Sequence, residues 1–216
     1  MTIISAVYVP DGIVLSADSR LTGTFKKDDG TIERYAISDN SQKIVLIRNS
    51  TIGVVLYGNG DVDGKNVTTF ISLFNSTYID EQDTVEVVSK KLKEQLIKCE
   101  VHDSFFILAG YDGDEPFVYE VTSKKVERKN FEDNKVLYSA CWAGNTVPVK
   151  KMFDDVPIRI GLMQLKDAVD FAGFIVDVGI KYSRFTELLS DCGGPTDILV
   201  ITKDYTHFVK HKLLNP

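Results

Sequence analysis

Cysteine is scarce. The chain has three, Cys99, Cys141 and Cys192, far apart and without a CxxC pair. That excludes a disulfide framework and the paired spacing of a zinc ribbon. Histidine is as sparse: His102, His207 and His211 do not cluster with acids or cysteines, so no metal site is expected. His207 and His211 fall in a segment that reads as a strand, where alternation puts both on one face. No apolar run approaches the roughly 20 residues of a membrane span, and no basic, apolar leader opens the chain. A cytoplasmic protein is therefore expected, and the N-x-Ser/Thr triplets at Asn49, Asn66 and Asn75 are read as chance matches. Clustered Lys and Arg are also missing, and the net charge is −6. This excludes a nucleic-acid or anionic-membrane surface. Lys90, Lys91 and Lys93 are interleaved with Glu86 and Glu94, a solvated helix face. Gly58-Asn59-Gly60 lacks the lysine and spacing of a phosphate loop, so no cofactor is expected.

What is present is an ordinary globular composition, 44% hydrophobic over 216 residues. One domain over residues 1–216 is the default. Residues 3–9 are an apolar, β-branched run. Pro10-Asp11-Gly12 follows, with Pro presetting φ and Gly supplying positive φ, and residues 13–19 return as the second strand of a hairpin. Residues 23–42 are a polar excursion. Residues 43–47 and 51–57 form another strand pair. From Asp61 the period becomes helical, with Val67, Phe70, Ile71 and Phe74 on one side. A second helix begins near Asp83, where Asp83 and Glu86 resemble a capping box, and its apolar positions are Val87, Val88, Leu92, Leu96 and Ile97. Strands are expected at 104–110, 115–121 and 135–141. Helices follow at 147–154 and 164–189, then strands at 197–202 and 207–213. Several strands are apolar at both parities, which is the mark of burial on both faces. Two antiparallel sheets face to face, with a helix pair outside each, satisfy that requirement. The predicted class is α+β, a four-layer αββα sandwich.

Three residues could carry chemistry. Methionine is removed when the next residue is small, so the mature chain is expected to start at Thr2. An N-terminal threonine holds a hydroxyl and a free α-amine of pKa about 8 on one residue, one of the recognised activated nucleophiles. The hairpin folds Asp18 back beside Thr2, where it is either an exposed strand-end acid or the partner of a cation. Lys43 opens the next apolar strand. It is either a solvated strand-end lysine or the charge that tunes Thr2, held by Asp18. Cys141 and Cys192 have no histidine nearby in sequence and read as structural thiols.

The segment TIISAVYVPDGIVLSADSRLT, residues 2–22, resembles the first hairpin of proteasome β subunits and of the bacterial proteasome-like peptidases, members of the N-terminal-nucleophile (Ntn) hydrolases. The family's Thr, acid, Arg and Thr fall on Thr2, Asp18, Arg20 and Thr22, and its strand-opening lysine on Lys43. The segment CGGPTDILVIT, residues 192–202, resembles the family's penultimate strand and its Gly-Gly lead-in. The order of elements fits between these ends. The chain has no N-terminal extension of the α-subunit kind and is similar to the β type. The resemblance implies the αββα fold and amide hydrolysis, with Thr2 as nucleophile, its α-amine as base, and Lys43 and Asp18 in support. It also implies Thr22 against the substrate backbone and a backbone oxyanion donor near Gly58, although an ungapped count lands on Tyr57. It further implies a peptide or protein substrate and self-assembly into a homo-oligomeric ring or spiral. It leaves open any ATPase partner.

The chain departs from the family in two loops. Ala143 stands where the family has a serine. Near the late Gly-Gly, Cys192 matches a serine and Leu189 an aspartate, with Asp191 a substitute if the loop shifts. Three functions follow: a threonine hydrolase, a non-catalytic proteasome-like scaffold, and a small-molecule amidase of the same superfamily.

Overall fold

A computed structural model describes residues 2–62, 64–153, 156–186 and 190–213. The expected loss of Met1, the helix end at Asp154 and the family match at Leu189 lie outside the described residues. Strand β1 (Ile3–Val9) and strand β2 (Gly12–Ala17) form the expected hairpin, Val9 opposite Gly12 across Pro10-Asp11. Every residue of both is buried. Gly12 is not at positive φ, contrary to expectation. It is needed for space, because a Cβ there would lie 2.9 Å from both Ile201 O and Leu165 Cδ1.

The polar excursion is a two-stranded ribbon that starts earlier than expected. Its strands, β3 (Leu21–Lys26) and β4 (Ile32–Ser38), pair with each other alone among the described residues. Strands β5 (Ile44–Ile47) and β6 (Ile52–Gly58) pair as anticipated. The helix expected from Asp61 starts later. A small ladder, β7 (Asp61–Val62) with β8 (Lys65–Asn66), comes first, and the Asn66 side chain caps helix α1 (Val67–Tyr78) by accepting from Thr68 N. Helix α2 (Val85–Lys98) is capped by Thr84, not Asp83: Thr84 Oγ1 accepts from Val87 N at 3.2 Å. Asp83 instead accepts from Asp80 N and Lys91 Nζ. Val87 and Ile97 point outward, and Val85 and Ser89 take their places in the interior.

Strands β9 (Ser104–Asp112) and β10 (Glu115–Val121) form a hairpin over Gly113-Asp114, followed by β11 (Val126–Arg128). The single strand expected at 135–141 is divided. Strand β12 (Phe131–Glu132) pairs with β13 (Lys135–Val136), and β14 (Ser139–Gly144) crosses to β1. Helix α3 (Val147–Phe153), a 3-10 turn at Ile160–Leu162, helix α4 (Leu165–Thr186) and strands β15 (Asp197–Ile201) and β16 (Thr206–Lys210) complete the order. β16 ends before His211, so the two histidines do not share a face: His207 is exposed and His211 buried.

Among the described residues there are two five-stranded antiparallel sheets, ordered β14-β1-β2-β15-β16 and β11-β10-β9-β6-β5. Three kinds of apolar contact hold them. α1 and α2 bury Phe70, Ile71, Phe74, Val88 and Leu92 against the second sheet. α3 and α4 cover the first sheet through residues such as Val149, Ala168, Ala172 and Ile175. A further cluster draws on both sheets, joining Ile4, Leu15 and Leu199 to Ile44, Val55 and Ile107. The chain is thus an α+β protein of antiparallel sheets and four helices among the described residues. No described helix is long and apolar enough to cross a membrane. The arrangement places the start of β1, the end of β2 and the start of β5 at one end of the paired sheets.

Candidate active site

Thr2, Asp18 and Lys43 meet at that end. Lys43 Nζ donates to Thr2 Oγ1 at 2.9 Å and to Asp18 Oδ1 at 2.7 Å. All three residues are buried, at 6, 1 and 4% exposure. The hairpin fixes the first two: Ile3 N donates to Asp18 Oδ1 at 3.0 Å, while Asp18 N donates to Ile3 O at 3.2 Å. Asp18 Oδ2 accepts from Arg20 N at 3.2 Å and from Gly193 N at 3.0 Å. A buried carboxylate needs such partners, and here both oxygens have two. Burial pushes the Lys43 ammonium below its ordinary lysine value, and the charge of Asp18 and its hydrogen bond pull it back up.

Thr2 is clamped from the other side by the end of β14. Asn145 N donates to Thr2 O at 2.8 Å. Gly144 sits at φ 95°, and a Cβ there would fall 1.7 Å from Thr2 O, so only glycine lets the two segments meet. Asn145 is itself tied to α4 through Ser183 Oγ at 2.6 Å.

A cavity of about 280 Å³ opens on Thr2, walled by Thr22, Gly58 and Asp191 among others. Gly58 ends β6 at φ 114°, where a Cβ would lie 2.2 Å from Asp103 O. Tyr57, the ungapped match, lies in the wall of a different cavity, its ring stacked on Phe105. Gly58 is therefore the residue of the two that borders the space in front of Thr2. A larger cavity of about 460 Å³ lies around Pro10 and Asp11, at the other end of the hairpin. Its lining includes none of the candidate site residues expected from sequence.

The remaining predicted residues are placed differently. Arg20 borders the cavity, but its guanidinium is committed elsewhere: Nε and Nη2 donate to Asp39 at 2.6 and 2.9 Å, and Nη1 to Ser190 O at 3.0 Å. Since Arg20 precedes β3 and Asp39 follows β4, the pair clasps the base of the ribbon. Asp191 is buried and accepts from Arg34 Nη1 at 2.8 Å. Cys192 is not brought to the cavity wall. It is fully buried in the apolar cluster with Ile3 and Val176, and burial pushes its thiol up to about 12. Cys141 is likewise held at about 12 by burial. Ala143 lies on β14 opposite Ile4.

Two features escaped sequence reasoning. Arg34 and Thr24, from the ribbon, border the same cavity as Thr2. A second buried pair, Lys212 with Asp197, lies close by, Asp197 being opposite Ala17 in the sheet. An arginine in a polar excursion and a lysine near the C-terminus carry no local signal of either role. Among the described residues no group of His, Cys, Asp and Glu could hold a metal ion. No protein-family model matches this chain, and no curated protein matches it.

Proposed function

We propose that the protein is an amide hydrolase with Thr2 as N-terminal nucleophile, of the proteasome-like Ntn kind, its layers forming a four-layer αββα sandwich. The observation that carries the reading is the buried lysine joining a carboxylate to the hydroxyl of a threonine that lines a cavity. The reading requires Thr2 to become the N-terminus, so that its α-amine is free.

The chemistry then runs on one residue and its neighbours. As Thr2 Oγ attacks the scissile carbonyl carbon, the α-amine takes the hydroxyl proton. The Lys43 cation favours the developing alkoxide, and backbone N–H near Gly58 receives the carbonyl oxyanion. The protonated α-amine of Thr2 passes that proton to the leaving nitrogen as the C–N bond breaks, leaving an ester on Thr2. Water attacks that ester, the amine takes its proton, and the carboxylic acid and free hydroxyl are restored. No cofactor enters these steps. The substrate is a peptide or protein, and the working form is a cytoplasmic homo-oligomer, ring or spiral.

A second reading rests on Ala143, which has no hydroxyl where the family resemblance places one: a proteasome-like scaffold without catalysis. Assay of fluorogenic acyl-peptide amides with wild-type protein and Thr2→Ala separates the two. Turnover lost in the variant supports the hydrolase. No turnover in a wild-type protein whose N-terminus is Thr2 supports the scaffold, and equal turnover in both proteins overturns Thr2 as the nucleophile. Cleavage of small N-acyl amides without peptide cleavage redirects the proposal to an amidase.

A further inference from the structure

The β3–β4 ribbon has two unlike faces. Cross-strand register puts Thr22, Thr24 and Lys26 on one face with Ala36, Arg34 and Ile32, and Gly23 and Phe25 on the other with Tyr35 and Glu33. The first face supplies Thr22, Thr24 and Arg34 to the cavity in front of Thr2. The ribbon is thus a built wall of the site, fastened at its base by Arg20 with Asp39 and by Ser41 N donating to Ser19 O at 2.8 Å.

Two arginines border that cavity, and they differ in what they have left to give. Arg20 spends three N–H groups on Asp39 and Ser190 O. Arg34 makes one hydrogen bond among the described residues, from Nη1 to Asp191, and its side chain is 53% exposed. A guanidinium carries five donors in a planar fork suited to a carboxylate. Asp191, its partner, is only 1% exposed. The guanidinium is therefore the more accessible member of the pair.

We infer that Arg34 reads a carboxylate on the substrate, so that the enzyme prefers an acidic residue at the position that supplies the scissile carbonyl. This rests on the hydrolase reading above. Asp191 holds the guanidinium in place through Nη1 and leaves its other edge for the ligand. A charge-assisted hydrogen bond of this kind is worth roughly tenfold in affinity or more.

The test compares three matched peptide amides with Glu, Gln or Lys before the scissile bond, in wild type and in Arg34→Gln, which keeps a donor for Asp191. Wild type is expected to favour Glu over Gln by roughly tenfold in kcat/KM, with Lys slowest. Arg34→Gln is expected to lose that order, its Glu-to-Gln ratio of kcat/KM falling to about one. Equal rates for Glu and Gln in wild type, or an acidic preference that survives Arg34→Gln, overturns the inference. If wild type gains no adduct from a neutral β-lactone and cleaves nothing, the hydrolase reading has failed. Equilibrium binding of the Glu and Gln peptides to both proteins then still decides whether Arg34 recognises a carboxylate.

Discussion

Two Asp–Lys pairs are buried near each other at one end of the paired sheets. In one, Lys43 pairs with Asp18; in the other, Lys212 pairs with Asp197. Each lysine side chain is about as hidden as the other, at 5 and 3% exposure. The surroundings differ. Among the described residues Lys212 closes on a single residue, its backbone N donating to Asp197 Oδ1 at 2.9 Å and its Nζ to Oδ2. Lys43 instead divides its ammonium between a carboxylate and the hydroxyl of Thr2, which borders a cavity. A buried ion pair is therefore not by itself a sign of chemistry, since desolvation is offset in either setting once the hydrogen bonds are made. What separates the two is the third group and the open space beyond it.

The largest effect that would sharpen this contrast is on turnover. Thr2→Ala should reduce amide hydrolysis by at least about 1000-fold. Lys212→Met should leave hydrolysis within severalfold of wild type provided the protein is folded. A folded Lys212→Met protein as inactive as Thr2→Ala would erase the distinction between the pairs.

The next effect is on stability, and there the pairs should look alike. Lys43→Met and Lys212→Met each strand a buried carboxylate, and each should cost about 3–5 kcal/mol in urea unfolding. A cost near zero for Lys43→Met would mean that Asp18 is sufficiently satisfied by its backbone donors.

A smaller effect lies in the pH profile. Burial lowers the Lys43 value, so the cation loses its proton at a lower pH than a free lysine near 10.5. Below that point the ammonium is intact and Thr2 is supported; above it the support is withdrawn. The alkaline limb of kcat/KM should therefore fall below pH 10.5. In Lys43→Arg that limb should move upward or vanish. The smallest effect concerns Cys192, whose thiol burial pushes up to about 12, so that little of it is ionised at pH 8. Iodoacetamide should label it in the native protein far more slowly than in urea, and rapid native labelling would revive a thiol nucleophile.

The contrast also marks how far the sequence was legible. Asp18 and Lys43 could be found because each sits at the end of an apolar strand, and a two-residue turn folds one strand back on its neighbour. The long buried strands and the helices α1, α2 and α4 were visible for the same reason: their periodicity runs over many residues. Ladders of two residues, such as Asp61–Val62 with Lys65–Asn66, have no periodicity to detect. The division of β13 from β14 depends on which neighbour each piece pairs with. Thr84 and Asp83 are both good caps by type, and only geometry chose between them. Arg34 was invisible because its partner Asp191 is 157 residues away, and Lys212 because its role depends on tertiary contact with Asp197.

The central claim is that the hydroxyl touched by Lys43 is a nucleophile, and intact mass tests it most directly. The purified protein is weighed before and after incubation with a threonine-directed β-lactone. The account predicts a chain beginning at Thr2 that gains one adduct, with no adduct in Thr2→Ala. A chain that begins at Thr2 yet gains no mass, or an adduct that persists in Thr2→Ala, would contradict it.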